Sequence, residues 1–305
     1  MIHVHQTDRV VRDIMNLEFK TEYCALNDYK PSKVENKFVN IYVKAAEICQ
    51  ADCEFCVYHN KDQMWKFDIE KFKQTISTLI ADNIEIRKVS FTGGEPSLNS
   101  IRLKDCISYI KQHSPNTFVV INSNGAWLNR LFDPIMPTRF DIVSLSRHHY
   151  DDEKNKKVFR TTNVPTAKYI AELSKRNPGR LHLSCNLIKG YIDSKSEMIK
   201  YLEFASKSGI YDVGFVGLMP VNKFAEEHFV DLERIKLTDK QLVRNKEWRY
   251  GKICKCSNYL YMPKKGSMLV KFYARYRCGY SVDMGSNVVF DGQHLRNNFG
   301  GKIIY

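Results

Sequence analysis

The sequence contains no long apolar run, and this absence excludes a protein anchored by membrane-spanning helices. No stretch approaches the roughly 20 apolar residues that such a helix needs. The first residues, MIHVHQTDRVVRD, lack the apolar core of a secretory signal. Repeats of fixed period and low-complexity tracts are also absent, which excludes solenoid and compositionally biased proteins. We therefore expect a globular, cytoplasmic protein with no membrane partner.

Acidic residues are outnumbered by basic ones, so the chain carries a large positive charge. The 305 residues include 34 Asp and Glu but 47 Lys and Arg, which gives a formal net charge of +13. Such a charge suits an anionic partner, for example a nucleotide, a nucleic acid or an acidic peptide. The basic residues are spread along the chain rather than gathered in one stripe, so a soluble, lysine-rich surface is the simpler interpretation.

The nine cysteines are odd in number, and six of them form two groups. In a cytoplasmic chain such groups indicate metal binding rather than a disulfide framework. Cys106 and Cys185 fall within predicted regular structure, where we expect small core residues. The two groups are Cys49, Cys53 and Cys56, and Cys254, Cys256 and Cys278.

Short β-rich runs alternate with helical patterns through most of the chain. Strands are predicted at 39–45, 86–91, 117–122, 140–146, 181–188 and 211–219, and helices at 68–82, 103–113, about 127–136, 164–176 and 194–209. This alternation predicts parallel strands joined by right-handed crossovers. The fold class is therefore α/β, a partial (β/α)6 TIM-like barrel, whose functional groups gather at the carboxyl ends of the strands.

Three regions are expected along the chain. Residues 1–38 form an amino-terminal extension, and residues 39–220 form the core barrel. Residues 221–305, where the alternation stops and the second group of cysteines lies, form a small carboxyl-terminal appendage.

The first group of cysteines has a C-x3-C-x2-C spacing just after the first predicted strand. Three thiolates on one short loop can hold three irons of a [4Fe–4S] cluster and leave the fourth iron open for a ligand. Zinc, with His59 as a fourth ligand, is an alternative, and so is an unrelated set of cysteines.

This spacing, with the aromatic Phe55 before the last cysteine, resembles the signature of the radical S-adenosylmethionine (SAM) superfamily. The resemblance implies that the cluster on Cys49, Cys53 and Cys56 binds SAM and cleaves it reductively. The 5′-deoxyadenosyl radical so formed would abstract a hydrogen atom from a substrate. A reductase, a flavodoxin or a ferredoxin would supply the electron.

Several strand ends resemble positions where the family binds SAM. The second strand runs into Gly93-Gly94-Glu95, which is similar to the GGE motif that contacts the SAM amino group. Glycines let a ligand approach the backbone closely, and a carboxylate can pair with an ammonium group. The other cofactor-binding candidates are Ser123, Ser146, Arg147 and Asn186, for which ordinary turn or core packing is the alternative.

The residues after the fourth strand, Arg147–Asp152, are rich in groups that could bind or protonate a substrate. We expect His148, His149 and Tyr150 on the substrate side, as catalytic candidates. A metal site or a solvated loop are the alternatives.

The second group of cysteines resembles the twitch and SPASM regions that hold an auxiliary cluster in many family members. Only three thiols are available, so an open iron, zinc with His294 as a fourth ligand, or free thiols remain alternatives. An open iron would suggest direct substrate ligation, as in molybdenum-cofactor cyclases, but SLSRHHYDD departs from their pattern and that reaction is not assigned.

Two substrate classes follow from the resemblance. One is a peptide that is epimerised or cross-linked, and the other is a nucleotide or sugar that is rearranged or dehydrogenated. The extension of 38 residues is short for a leader-binding domain, which favours a small molecule or a peptide that is modified without a leader. The competing function is a non-catalytic zinc protein with a basic surface for nucleic acid, whose affinity would depend strongly on salt.

Overall fold

A computed structural model of the chain describes residues 10–12, 18–20, 38–57, 66–133, 139–238, 240–244, 257–263, 266–273, 287–297 and 301–304. The predicted ligands His59, Cys254, Cys256 and Cys278 lie outside the described residues. The chain divides into two compact units. The cysteine unit comprises residues 29–145, 159–164 and 280–305, and the histidine unit comprises residues 1–28, 146–158 and 165–279.

Thirteen strands and seven α-helices are found in the described residues. The strands are β1 (Val10–Arg12), β2 (Glu18–Lys20), β3 (Phe38–Ala46), β4 (Glu85–Gly93), β5 (Phe118–Ser123), β6 (Ile142–Ser146), β7 (Leu181–Leu187), β8 (Asp212–Gly217), β9 (Leu242–Arg244), β10 (Ser257–Tyr261), β11 (Met268–Tyr273), β12 (Asn287–Phe290) and β13 (Leu295–Arg296). The helices are α1 (Ile69–Ala81), α2 (Ser100–His113), α3 (Leu128–Leu131), α4 (Asp152–Phe159), α5 (Ala167–Arg176), α6 (Lys195–Lys207) and α7 (Lys223–Glu227).

The sheet of the cysteine unit is mostly parallel, in the order β13-β12-β3-β4-β5-β6. Parallel pairing joins β12 to β3 and each of β3 to β6 to the next, while β13 is antiparallel to β12. Phe72 on α1 contacts Phe91 and Phe290, with ring centroids 6.2 and 5.4 Å apart. Val43 is in register with both of these strand residues. One face of the sheet is therefore the helix-covered face, and the alternate residues lie on the other.

In the histidine unit, the strand order is β7-β8-β11-β10-β9. Here β7, β8 and β11 are parallel, whereas β10 and β9 are antiparallel additions. Strands β1 and β2 form a separate antiparallel pair. Helix α6 begins after Ser194, whose hydroxyl accepts a hydrogen bond from the Glu197 N–H, and it packs Tyr201 against Phe215. Gly209 has a φ of +71° just after the helix, as a carboxyl-terminal cap requires.

The α/β class with parallel strands is confirmed, but two features differ from the expectations. Helix α4 was not predicted, because its sequence DEKNKKVF is strongly polar and shows no apolar period. The region after residue 220 was expected to be a separate appendage. Two of its described strands instead pair with strands of the predicted core: β11 pairs with β8, and β12 pairs with β3. No helix in the described part of the chain is long and apolar enough to cross a membrane.

Candidate active site

The cysteine loop, residues 47–57, is held against the end of β4 by backbone contacts. The N–H of Gly94 donates to Ala46 O at 2.7 Å, and the N–H of Glu95 donates to Ile48 O at 2.9 Å. A Cβ atom on Gly94 would lie 2.0 Å from Ile48 O, and one on Gly93 would lie 2.8 Å from Ala46 O. Glycine was expected at these positions to admit a ligand. In the structure, the absence of a side chain at both positions leaves room for the backbone that leads into Cys49.

A partly buried ion pair holds the same backbone from the helix side. Arg102 on α2 donates from one Nη to both carboxylate oxygens of Glu47, each at 2.9 Å, and to Ala45 O at 3.2 Å. Burial favours a raised pKa for Glu47, but hydrogen bonds from Phe67 N–H and Arg102 outweigh it, so the pKa is lowered. Glu47 is therefore a positioning residue that the sequence motifs did not reveal.

The three thiols of the loop differ in their surroundings. Cys53 is buried, whereas Cys49 and Cys56 are partly exposed. The Ala51 N–H lies 3.4 Å from Cys49 Sγ, and the Asn124 side-chain amide lies 3.5 Å from it. Burial raises the pKa of Cys53, and the neighbouring thiols add to this effect. Cys53 must therefore lose its proton when it becomes a metal ligand.

The aromatic residue of the signature has a packing role in the loop. Phe55 packs, with Cys49 and Cys56, against a small apolar cluster. The loop is tied to the segment beneath it by the Asp52 N–H, which donates to Phe159 O at 3.0 Å. The cluster consists of Ala51, Cys53, Phe159 and Val164.

The donor set of the loop fits an iron–sulfur cluster. Among the residues that the structure describes, no three Cys, His, Asp or Glu side chains form a group that could hold a metal ion. A [4Fe–4S] cube binds each thiolate through a different iron, so its three ligands need not converge on one point. The two N–H groups near Cys49 Sγ suit a sulfur that carries negative charge.

Glu95 is fully engaged with the protein. Its side chain is 1% exposed, and its carboxylate accepts hydrogen bonds from Ser97 N–H, Ser97 Oγ, Ser123 Oγ and Asn124 N–H at 2.6–3.0 Å. Burial outweighs these bonds and raises the pKa of Glu95. The carboxylate thus joins the end of β4 to the end of β5. The contacts of Glu95 and Ser123 with SAM stay predictions.

Arg147 is likewise engaged inside the histidine unit. Its guanidinium is 1% exposed and donates to Asp152 Oδ1 at 2.6 Å, and to Pro165 O and Tyr150 O at 3.0 Å. It also lies over the Phe204 ring, 4.8 Å from the centroid. These contacts order the turn between β6 and α4, so an ionic contact with SAM remains a prediction that this arrangement does not favour.

The two histidines after β6 are buried rather than presented on a solvated loop. His148 Nδ1 accepts from the Asn186 N–H at 3.0 Å, and His149 Nδ1 accepts from the Asp151 N–H at 2.9 Å. Both neutral rings therefore carry their proton on Nε2. Burial lowers the pKa of His148 to about 3 and also lowers that of His149. The Tyr150 hydroxyl donates to Glu197 at 2.8 Å.

Two predicted SAM contacts keep their polar groups available. Ser146 and Asn186 are partly exposed, and neither side chain makes a hydrogen bond to any residue that the structure describes. Both lie at the carboxyl ends of parallel strands, β6 and β7. Of the predicted cofactor residues with polar side chains, these two are thus the ones that a ligand can contact without breaking protein hydrogen bonds.

Two known proteins resemble this chain in sequence. The chain is 27% identical over 173 residues to a "probable GTP 3′,8-cyclase" of Thermococcus kodakarensis. This match covers 56% of this chain and 54% of the relative. It is 26% identical over 145 residues to the 4-hydroxyphenylacetate decarboxylase activating enzyme of Clostridioides difficile. This match covers 47% of this chain and 44% of the relative. The chain therefore spans about half the length of these relatives.

The fold has a counterpart among solved structures. A radical SAM methyltransferase from Sphaerobacter thermophilus superposes with a TM-score of 0.52 at 16% identity, over 68% of this chain and 62% of that one. This likeness confirms the predicted partial-barrel fold. The family model named "Radical SAM superfamily" matches residues 43–234, which include the cysteine loop and the carboxyl ends of β3 to β8. The cofactors of that family are a [4Fe–4S] cluster and SAM. Since the match covers more than half of the chain, this protein belongs to the radical SAM superfamily.

Proposed function

We propose that the chain is a radical SAM enzyme whose cluster is held by Cys49, Cys53 and Cys56. These three cysteines would hold the cluster, which, when bound and reduced by an electron donor, would supply the electron for cleavage of SAM to a radical that takes a hydrogen atom from the substrate. The observation that carries this proposal is the seating of the cysteine loop on Gly93 and Gly94, where no side chain fits.

The residues around the loop have separate tasks in this proposal. Glu47 and Arg102 hold the backbone that enters the loop, and Asn124 donates toward Cys49 Sγ. Rigid support of this kind keeps the reacting groups in one geometry, which is the main contribution of a protein to cofactor chemistry.

SAM would be bound by both backbone and side-chain groups. Ser146 and Asn186 are the proposed direct side-chain contacts, because their polar groups are available. Glu95, Ser123 and Arg147 are proposed to position the strand ends from which the backbone contacts SAM, because their side chains are already hydrogen-bonded.

The proposed substrate is a nucleotide or a sugar derivative, with a peptide as the second class. Similarity to a probable GTP 3′,8-cyclase supports the nucleotide class. A flavodoxin, a ferredoxin or a dedicated reductase is the proposed electron donor, and the cytoplasm is the proposed location. A second cluster on Cys254, Cys256 and Cys278 is part of the same proposal.

The test is anaerobic reconstitution of the full chain with iron and sulfide. We expect about four irons per chain for one cluster, or about eight for two. The electron paramagnetic resonance spectrum of the reduced protein should change when SAM is added, and 5′-deoxyadenosine should form. Each of Cys49→Ala, Cys53→Ala and Cys56→Ala should abolish that product. Cys106→Ala is the matched control, since this cysteine is buried on α2 in the same unit, and it should retain the product.

Two results would contradict the proposal. Wild-type product formation by any of the three loop variants would remove the cysteine loop from the mechanism. Stoichiometric zinc in place of iron, with no response to SAM, would favour the zinc-binding alternative.

A further inference from the structure

A lysine near the carboxyl end of β3 lies on the face of the sheet opposite the helices. Val43 and Phe91 are register partners on the helix-covered face, so the next pair, Lys44 and Thr92, lies on the opposite face. Lys44 is two residues from the end of β3 and five residues before Cys49. It therefore stands at the same edge of the sheet as the cysteine loop.

The ammonium group of Lys44 has no hydrogen bond or ion pair with any of the described residues, although the side chain is partly buried. Its pKa is lowered, first by burial, while Asp291 acts to raise it and Arg296 to lower it further. The Thr92 hydroxyl also makes no hydrogen bond within the described part of the chain. A partly buried cation and a hydroxyl group are thus left available side by side.

The carboxylate that acts on this lysine, Asp291, is shared with other groups. Asp291 follows β12 and already accepts hydrogen bonds from the Gln293 and His294 N–H groups and from the Arg296 side chain. Two cations, Lys44 and Arg296, therefore share one anion. A partly desolvated cation whose counter-ion is shared in this way is costly, and a bound anion would lower that cost.

We infer that Lys44 and Thr92 form an anion subsite that binds a phosphate or carboxylate group of the substrate. The ammonium group supplies the charge and up to three hydrogen-bond donors, and the hydroxyl supplies a further donor. This inference rests on the proposed function, which places the substrate at this edge of the sheet. It narrows the substrate to anionic molecules, a class that includes nucleotides.

The test uses the reconstituted full chain with inorganic tripolyphosphate as the probe. Lysine acylation, read by mass spectrometry, reports whether Lys44 is protected when the probe is bound. Equilibrium dialysis compares the wild-type chain with Lys44→Met and Lys44→Arg. Lys207→Met, which removes an exposed lysine from the last turn of α6, is the matched control for net charge.

We expect the probe to protect Lys44 and to bind about tenfold more weakly to the Lys44→Met variant, which is the loss of one charge-assisted contact. The Lys44→Arg variant should bind within about threefold of wild type, and Lys207→Met should bind like wild type. Equal weakening by Lys44→Met and Lys207→Met would overturn the subsite, because binding would then follow net charge alone.

The anion could also be the carboxylate of SAM, and a second arm distinguishes this source. If SAM without the probe protects Lys44, and Lys44→Met weakens SAM binding rather than tripolyphosphate binding, the substrate assignment is wrong. Iron content and 5′-deoxyadenosine formation are measured on the same wild-type sample. Their failure counts against the proposed function, whereas an unprotected Lys44 in an active sample counts against the subsite alone.

Discussion

The cysteine unit and the histidine unit use their polar residues in different ways. In the cysteine unit, buried polar contacts surround a loop in which Cys49 and Cys56 are partly exposed, and Lys44 makes no hydrogen bond or ion pair with the described residues. In the histidine unit, Arg147 and His148 are at most 3% exposed and hydrogen-bond to their own unit. Available polar groups occur in both units, since Ser146 and Asn186 belong to the histidine unit, and such groups are the proposed ligand contacts, whereas paired buried groups hold the backbone.

The histidine unit also buries a group of charges away from the carboxyl ends of the strands. Asp212 lies 3.1 Å from His182 Nδ1 and 3.7 Å from Lys271 Nζ, and all three side chains are at most 5% exposed. Burial favours a raised pKa for Asp212, but Lys271 and His182 outweigh it and lower the pKa. This group lies at the amino ends of β7 and β8. We therefore expect it to contribute to stability rather than to ligand binding at the carboxyl ends of the strands.

The largest expected effect comes from replacing the glycine beneath the cysteine loop. Gly94→Ala would place a Cβ atom 2.0 Å from Ile48 O, so the loop must move. We expect a loss of about 3 kcal/mol in the free energy of unfolding, and little iron bound after reconstitution. Urea denaturation and iron analysis measure the two effects.

A second glycine supplies the control for this variant. Gly190 has a φ of +89°, but a Cβ atom added there would meet nothing within 4 Å, so Gly190→Ala carries only backbone strain. We expect a cost of about 1 kcal/mol with normal iron content. Full iron content in Gly94→Ala would show that the close approach does not determine the geometry of the cysteine loop.

An intermediate effect is expected from the buried histidine, and its sign follows from the lowered pKa. His148 titrates near pH 3 in the folded chain, compared with about 6.5 when unfolded. The unfolded chain therefore binds more protons between these values, and stability falls as the pH falls below about 6.5. We expect about 2 kcal/mol less stability at pH 5 than at pH 7 from this residue, as measured by urea denaturation of the cluster-free chain.

Substitution isolates this contribution. His148→Asn keeps an acceptor for the Asn186 N–H but does not titrate in this range, so its stability should depend less on pH than that of wild type. His113→Asn changes an exposed histidine on α2 and should leave the pH dependence as it is. An unchanged pH dependence in His148→Asn would mean that His148 is not held neutral by burial.

The smallest effect on stability is expected where side chains are available for SAM. Ser146→Ala and Asn186→Ala remove no hydrogen bond to the described residues, so each should change the free energy of unfolding by less than about 0.5 kcal/mol. SAM binding to the reconstituted chain should weaken about three- to tenfold, as measured by equilibrium dialysis.

The opposite behaviour is expected for a hydroxyl with a structural role. Ser174 is buried and donates to Gly209 O at 3.1 Å, so Ser174→Ala should lower stability by about 1 kcal/mol and leave SAM binding unchanged. If Ser146→Ala instead lowers stability and spares SAM binding, the distinction between available and engaged groups fails.

Much of the fold could be predicted because periodicity is a local property. The strands ending in Gly93 and Ser123 and the helices α1, α2 and α6 lie where their apolar periods place them. Helix α4 was missed because polar residues dominate it. The pairing of β11 with β8 and of β12 with β3 was missed as well, because a strand carries no local signal of its distant neighbour.

The sequence by itself determined the chemistry of this protein, and the tertiary structure decided the tasks of single residues. The spacing of Cys49, Cys53 and Cys56 is fixed by the covalent chain, so it predicts a cluster loop before any folding is considered. Whether a Glu, Arg or Lys side chain is available to a ligand depends on whether residues distant in the sequence already hydrogen-bond to it. Glu95 and Arg147 are hydrogen-bonded within the fold, whereas Lys44 makes no hydrogen bond or ion pair with the described residues.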